Sequence, residues 1–255
     1  MNIGAQMFTV NAHTGTLEGI SESLKKIADI GYKSVQVSGT CAYEADWLKE
    51  ELKKNGLTCN LTHISADKLI NETQKVIDDH NTFDCKYIGV GIMAGINENN
   101  NIAHWTKFAD TFKPVADKFA EAGKYFMYHN HHYEFVEDSG TIAMDYLCSA
   151  FAPDRMGFIL DTHWVKAAGQ DPIEWLRKLN GRIPCIHLKD LITMEDGSKR
   201  FAEVGKGEME FEKILRACED LDIEYAFVEQ DNCYGEDPFK CLKTSFDYLH
   251  AQGLC

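Results

Sequence analysis

One pattern recurs eight times along the chain: a short apolar segment, a turn, and a longer segment with the 3.6-residue periodicity of an amphipathic helix. Because neighbouring parallel strands need crossover connections, this alternation predicts a parallel sheet with a helix after every strand. The predicted strands cover residues 2–8, 33–37, 57–63, 86–90, 125–130, 157–161, 183–188 and 225–230. The predicted helices cover residues 17–30, 43–54, a segment ending near 79, 102–122, 141–151, a segment opened by Pro172, 211–219 and 238–252.

The number of strands favours a closed (β/α)8 barrel over an open, doubly wound sheet. The chain has 255 residues, a length common for one such barrel. No linker rich in proline or serine and no change in composition divides the sequence, so we predict a single domain over residues 1–255.

Charge and composition narrow the range of partners. The net charge of −14 repels phosphate backbones and argues against a nucleic-acid partner. No apolar run is long enough to span a bilayer, and residues 1–10 lack the basic and apolar regions of a signal peptide. The nine cysteines are scattered without a CxxC pair, as expected for reduced thiols. We therefore expect a cytoplasmic protein without a membrane partner, and the sequence leaves its oligomeric state open, a homo-oligomer included.

Polar side chains end the predicted strands three and five to eight, where barrels of this kind hold their reactive groups. They stand at His63, 129–134, 161–164, 187–190 and 229–231. Strands five to eight are neighbours in a closed barrel, so their ends meet at one mouth. Carboxylates meeting there would repel one another without a cation. Oxygen ligands with one imidazole nitrogen suit Mn²⁺, Mg²⁺ or Co²⁺, with Zn²⁺ as a further candidate.

Five stretches in this region resemble the xylose isomerase-like TIM barrel superfamily, and within it the sugar phosphate isomerase/epimerase group. They are YHNHHYEF (128–135), LDTHWV (160–165), HLKD (187–190), EVGKG (203–207) and VEQD (228–231). The segment QMFTV (6–10) is similar to the end of the first strand in that group. The resemblance covers essentially the whole chain, although its first half matches less distinctively.

The resemblance implies one divalent ion, with Mn²⁺ as the first candidate, bound by Glu134, Asp161, His187 and Glu229. The ligand from strand five stays open between two residues. Many relatives have a glutamate on the strand itself, where this chain has His129. Gln36 is a second departure, because many relatives have glutamate after strand two.

The resemblance also implies that a metal-polarised carbonyl loses an α-proton, with Glu134 and Glu229 removing and returning it on opposite faces. Lys189 lies two residues after His187, and alternation along a strand can place both side chains on the interior side. There Lys189 would hold an anionic oxygen or move a proton. The alternative is an ion pair with Asp190 or Glu203.

Several further residues are candidates for substrate contacts. His129 and His131 share one face by the same alternation, and His63 lies at the end of strand three. Trp164 either forms an apolar wall for a sugar ring or has a packing role. Glu203 and Lys206 belong either to a two-glycine loop that closes over the mouth or to an ordinary turn. The remaining histidines, which are His13, His80, His104 and His250, are interpreted as surface or capping residues.

These features favour a metal-dependent isomerase or epimerase that acts on a small-molecule carbohydrate, either a sugar, a keto-sugar or a sugar derivative. A lyase of the inosose dehydratase type is the alternative on the same scaffold, since both reactions begin with proton removal beside a carbonyl. A DNA-repair nuclease of the endonuclease IV type would need three zinc ions and a basic surface, which the charge argues against. A sugar-binding protein on a decayed barrel fits poorly with four ligands in register.

Overall fold

Eight parallel strands form a closed barrel in which β1 pairs with both β2 and β8. The structure is a computed structural model that describes residues 1–95 and 100–254. Each strand pairs with the strand that follows it, which confirms the predicted (β/α)8 fold class. The barrel strands are β1 (Asn2–Gln6), β2 (Ser34–Val37), β3 (Thr58–His63), β4 (Tyr87–Val90), β5 (Tyr125–His129), β6 (Met156–Asp161), β7 (Cys185–Leu188) and β8 (Tyr225–Val228).

Helices connect the strands and cover the outside of the barrel. They are α1 (Leu17–Ile30), α2 (Ala45–Asn55), α3 (Ala66–Asn71), α4 (Thr73–Thr82), α5 (Ile102–Glu121), α6 (Ala143–Ala150), α7 (Thr162–Ala167), α8 (Pro172–Lys178), α9 (Phe211–Asp220) and α10 (Pro238–Ala251). The segment predicted as one helix ending near residue 79 is two, because Glu72 leaves the helical conformation at φ −125°, ψ 29°. In the part of the chain that the structure describes, no helix combines the length and apolarity needed to cross a membrane.

The barrel interior is filled below the mouth by packed side chains. These side chains form one packed layer, which consists of Leu61, Tyr87, Met127, Ile159, Cys185 and Phe227. Gly4 makes room for one of them, since a Cβ at this position would lie 2.7 Å from the Phe227 ring. A larger apolar shell lies between the strands and the helices. Above this layer, at the C-terminal ends of the strands, buried polar side chains such as His129, Asp161 and His187 enter the barrel.

A two-stranded antiparallel hairpin, formed by Asp190–Thr193 and Lys199–Ala202, follows β7 and was not predicted. The buried Asp190 carboxylate fixes the turn after it by accepting hydrogen bonds from the backbone N–H groups of Leu191, Gly205, Gly207 and Met209. Only glycine fits at position 207, because a Cβ there would lie 2.4 Å from Asp190 Oδ1. The segment 203–209 is therefore tied to the barrel end by its backbone.

His80 corrects one expectation, because it is buried rather than a surface or capping residue. Its Nδ1–H donates to the Val76 carbonyl at 2.7 Å, and Nε2 lies 2.8 Å from the Thr62 hydroxyl. Both ring nitrogens are satisfied in the neutral form. Burial accordingly lowers the pKa of His80 to about 4.

We expect this histidine to make the fold sensitive to mild acid. The folded state keeps His80 neutral while the unfolded chain takes up a proton near pH 6.5, so its stabilisation is present above that pH and lost as the pH falls towards 4. Between pH 7 and pH 5, wild type should lose about 2 kcal/mol more free energy of unfolding than His80→Gln. Urea unfolding at both pH values measures this, and parallel losses in the two proteins would contradict it.

Candidate metal centre and active site

Four buried side chains meet at the C-terminal ends of neighbouring strands: His129 on β5, Asp161 on β6, His187 on β7 and Glu229 immediately after β8. Each offers one ligand atom, and these four atoms all lie within 4.8 Å of one another. The parallel barrel explains the convergence, because the carboxyl ends of all eight strands lie at the same mouth. The group therefore has the size and donor types of a site for one divalent cation.

Hydrogen bonds from other strands fix which nitrogen of each imidazole faces this group. His129 Nδ1 lies 3.0 Å from the Gly91 carbonyl oxygen, which can only accept, so Nε2 carries the lone pair and lies 3.3 Å from Asp161 Oδ2. His187 Nε2 lies 2.7 Å from Gln36 Oε1, which leaves Nδ1 directed at the carboxylates. Second partners of this kind are the usual support of metal-binding histidines.

Glu229 Oε2, which the Lys189 ammonium contacts at 3.0 Å, and His187 Nδ1 meet in the centre of the group. They lie 2.9 Å apart, so two lone pairs face each other unless a cation or a proton lies between them. Burial lowers the pKa of His187, but the charges of Glu229 and Asp161 outweigh it and hold that pKa above its usual value. The arrangement thus demands positive charge, and the donor set fits a divalent metal ion.

Lys189 supplies part of this positive charge. Its buried ammonium lies 3.0 Å from Asp161 Oδ2, 3.0 Å from Glu229 Oε2 and 2.9 Å from Asp231 Oδ1. It therefore pairs with neither Asp190 nor Glu203, the partners considered from sequence. Burial lowers the pKa of Lys189, but the three carboxylates raise it by more than burial lowers it. The side chain therefore stays charged. One ammonium among three carboxylates leaves two negative charges uncompensated.

The pKa values of the three carboxyl groups next to Lys189 shift in different directions. Burial raises the pKa of Asp161 and of Glu229, but Lys189 and the histidines outweigh it and hold both pKa values well below their usual range. Asp231 has its pKa raised to about 6 by burial and by the charge of Glu229. Asp161 also caps α7, since Oδ1 accepts from Trp164 N–H while Oδ2 faces the group.

Glu134, the predicted strand-five ligand, lies outside the group of four. Its carboxylate accepts from the Tyr128 hydroxyl at 2.6 Å and from the His131 backbone N–H at 2.8 Å. Tyr128 packs against α5 and so faces the outside of the barrel, opposite to the neighbouring His129. Glu134 thus turns back towards the helix layer, where burial raises its pKa to about 7. Of the two alternatives left open from sequence, the geometry places His129 with the other three candidate ligands.

A cavity of about 460 Å³ opens above the group, and His63, His129, His131 and Lys189 line it. The ring centroids of His63 and His129 lie 5.2 Å apart, and those of His129 and His131 lie 4.7 Å apart. Trp164 contacts His131 at the edge of this region. A separate cavity of about 550 Å³ lies around Lys86 and Tyr125, beside the N-terminal ends of the strands. Reactive groups of such barrels lie at the opposite face, so we assign the chemistry to the mouth.

Glu203 and Lys206 are not brought to this cavity. Val204 N–H donates to the Ser245 hydroxyl on α10, and a Cβ at Gly205 would lie 2.3 Å from the Tyr248 ring. Lys206 is exposed to solvent. Together with the amide contacts of Asp190, this packing corresponds to the alternative of an ordinary turn.

Three residues of the region were not selected from sequence as site residues. Asp231 follows Glu229 with the two-residue spacing of a common face, which was an available signal. Gln36 was noted only as a departure from relatives, although it orients His187. No sequence pattern indicated Phe201, because it lies on the hairpin that was not predicted. Its ring packs against His163 with 4.8 Å between the ring centroids.

Comparison with known proteins agrees with this architecture. The model of the family described as "Xylose isomerase-like TIM barrel" matches residues 24–245. An inosose dehydratase from Lacticaseibacillus casei is 25% identical over 164 residues, which are 58% of this chain and 54% of that protein, so the match spans about half of that relative's length. An inosose dehydratase from Clostridium perfringens is 21% identical over 245 residues, 82% of each chain. The crystal structure of a sugar phosphate isomerase/epimerase from Parabacteroides distasonis superimposes on this chain with a TM-score of 0.83 at 20% sequence identity. The superposition covers 98% of this chain and 96% of the other, so the two proteins share a fold.

We expect Lys189 to be a principal source of stability at the mouth. Lys189→Met leaves buried carboxylates without their ammonium partner and should lower the free energy of unfolding by about 3–5 kcal/mol in chelator-treated buffer. Guanidinium unfolding measures the change. Lys243→Met is the matched control, because Lys243 forms an exposed ion pair with Asp247 and its loss should change little. Equal stability of the two variants would show that the buried ion cluster contributes little.

Proposed function

The chain belongs to the xylose isomerase-like TIM barrel family, and on this basis we propose that it is a divalent-metal-dependent isomerase or epimerase acting on a sugar, keto-sugar or sugar derivative. The observation that carries the proposal is the group of His129, Asp161, His187 and Glu229, whose ligand atoms lie within 4.8 Å at the barrel mouth. The fixed imidazole orientations, and the 2.9 Å approach of His187 Nδ1 to Glu229 Oε2, support a cation rather than a fortuitous cluster.

The donor set supports a choice of metal. Two imidazole nitrogens with two carboxylate oxygens contain one more nitrogen than the set implied by resemblance. Magnesium prefers oxygen ligands, whereas Mn²⁺, Co²⁺ and Zn²⁺ accept imidazole. We therefore propose Mn²⁺ first, with Co²⁺ and Zn²⁺ as alternatives and Mg²⁺ less suited.

A bound divalent cation would polarise a substrate carbonyl and so acidify the adjacent C–H bond. Glu229, held ionised by Lys189 and His187, is the proposed proton acceptor. The Lys189 ammonium would stabilise the negative charge that develops on the substrate oxygen. An epimerase also needs a proton donor on the opposite face, and Glu134 is turned away from the mouth. His63 and His131 line the cavity, but burial lowers the pKa of each imidazole, so they would hold substrate hydroxyl groups and would not supply that proton.

A dehydratase is the second candidate, supported by the sequence similarity to two inosose dehydratases. Proton removal by Glu229 beside a carbonyl is common to both reactions. The two differ in whether the proton returns to carbon or a neighbouring hydroxyl leaves. The product therefore decides between them: an isomer in one case, and a product lighter by one water in the other.

Metal binding tests the proposal directly. We expect wild type to bind one Mn²⁺ per chain, measured by titration calorimetry and elemental analysis. His129→Ala and Glu229→Gln should each remove a ligand and abolish measurable binding. Gln36→Ala, which removes only the partner of His187, should weaken binding by about 10–100-fold. Glu134→Gln should bind as wild type does, and loss of binding in this variant with retention in His129→Ala would reverse the ligand assignment.

Turnover provides the second test. With Mn²⁺ in D₂O, wild type should incorporate deuterium beside the carbonyl of D-fructose, D-xylulose or 2-keto-myo-inositol, followed by NMR and mass spectrometry. Chelation and Glu229→Gln should stop the exchange. Metal binding without exchange on any of these ketones would contradict the proposed proton transfer while leaving the metal site intact.

A further inference from the structure

We infer that the mouth cavity binds an uncharged sugar derivative that carries an apolar substituent, and that Phe8 and Ile92 form the site for this substituent. The inference rests on the proposed function, because it takes the sugar to lie at the metal group. It adds that the ligand carries no phosphate and that its far end is apolar. Three observations support it: the charges that line the cavity, the exposed apolar side chains at its rim, and its size.

The charged side chains that line the cavity, within the described part of the chain, are Lys189, Glu229 and Asp231. The single ammonium is already held between three carboxylates at 2.9–3.0 Å. The other polar lining groups include the imidazoles of His63, His129 and His131. A phosphate group would thus meet carboxylates, without a free ammonium or guanidinium group among the lining residues to bind it.

The cavity continues beside Ser38 and His63 into a second cavity of about 360 Å³. The lysines that line this neighbour are Lys68 and Lys75, of which Lys75 pairs with Asp79 at 2.8 Å. Three acidic residues line it as well, namely Glu44, Glu72 and Asp79. Acidic groups therefore outnumber basic groups here too, and the extended space offers no better place for a phosphate.

The apolar residues of the mouth come from strand ends that do not supply the metal group. Phe8 follows β1, Ile64 follows β3, and Val90 and Ile92 lie at the end of β4. Phe8 and Ile92 are 37% and 44% exposed, although most other large apolar side chains near the barrel are buried. Exposed apolar side chains that line a concave site next to polar groups are typical of ligand-binding surfaces. The mouth thus has one half that binds oxygen atoms and one half that can bury an aryl or alkyl group.

The size of the cavity agrees with a ligand larger than one sugar ring. Its volume of about 460 Å³ is within the range of cavities that enclose drug-sized molecules. A sugar ring at the metal group would leave Phe8 and Ile92 uncovered. A phenyl or alkyl substituent on that ring would cover them, and burial of about 60 Å² of apolar surface corresponds to about tenfold in affinity.

Paired glycosides test the inference on the full chain loaded with Mn²⁺. Calorimetry should compare phenyl and methyl β-glycosides of glucose, galactose and xylose, with glucose 6-phosphate as the charged probe. At least one phenyl glycoside should bind about tenfold more tightly than its methyl partner, and glucose 6-phosphate should bind no more tightly than glucose. Phe8→Ala and Ile92→Ala should each reduce the phenyl preference to threefold or less.

Leu17→Ala is the matched control, because Leu17 is 42% exposed and does not line the cavity. It should keep the phenyl preference of wild type. Equal affinities within every pair, absence of binding by all of the phenyl glycosides, or tighter binding of the phosphate would overturn the inference. These outcomes are separate from the metal and exchange experiments: a protein that binds Mn²⁺ and exchanges protons without a phenyl preference refutes the apolar subsite alone, and the reverse result refutes the proposed reaction alone.

Discussion

The concentration of negative charge at the barrel mouth is the constraint on which the rest of the site depends. Asp161 and Glu229 are buried next to each other, and such a pair is costly unless cations compensate it. Lys189 compensates part of the charge from within the chain. The negative charge that Lys189 leaves uncompensated accounts for the raised pKa of His187 and for the fit of the site to a divalent ion. Charge balance thus links the fold, through strand ends that force these groups together, to the proposed chemistry.

The two halves of the barrel have different tasks in this arrangement. Strands β5–β8 supply the charged and ligating atoms. The first half supplies atoms that orient them. Gln36 on β2 holds His187 from across the mouth, and the Gly91 carbonyl after β4 holds His129 on the neighbouring strand β5. An amide at position 36 orients His187 without adding a further negative charge to the two that remain uncompensated. The charge balance of this chain is therefore a physical reason for glutamine at a position where many relatives have glutamate.

Sequence patterns predicted the parts of the structure that depend on local periodicity and on strand ends. The barrel follows from the eightfold alternation, and Asp161, His187 and Glu229 meet because their strand positions fix them. The position of the Glu134 side chain was harder to predict, because a residue in a turn five residues after the strand can face either the barrel interior or the helix layer. His80 and the 203–207 turn depend on tertiary partners, Thr62 in one case and the Asp190 carboxylate in the other, that no local pattern reveals.

The charge balance also bears on what the site can accept. A divalent cation added to one ammonium and three carboxylates makes the group neutral as a whole, so a loaded mouth has no net charge to attract an ionic substrate. In the proposed function, recognition would then come from ligation of substrate oxygen atoms by the cation and from apolar contact with Phe8 and Ile92. A chain with a net charge of −14 would in addition repel anions at long range. Local neutrality and global negative charge thus act in the same direction, and both favour an uncharged carbohydrate over a phosphorylated one.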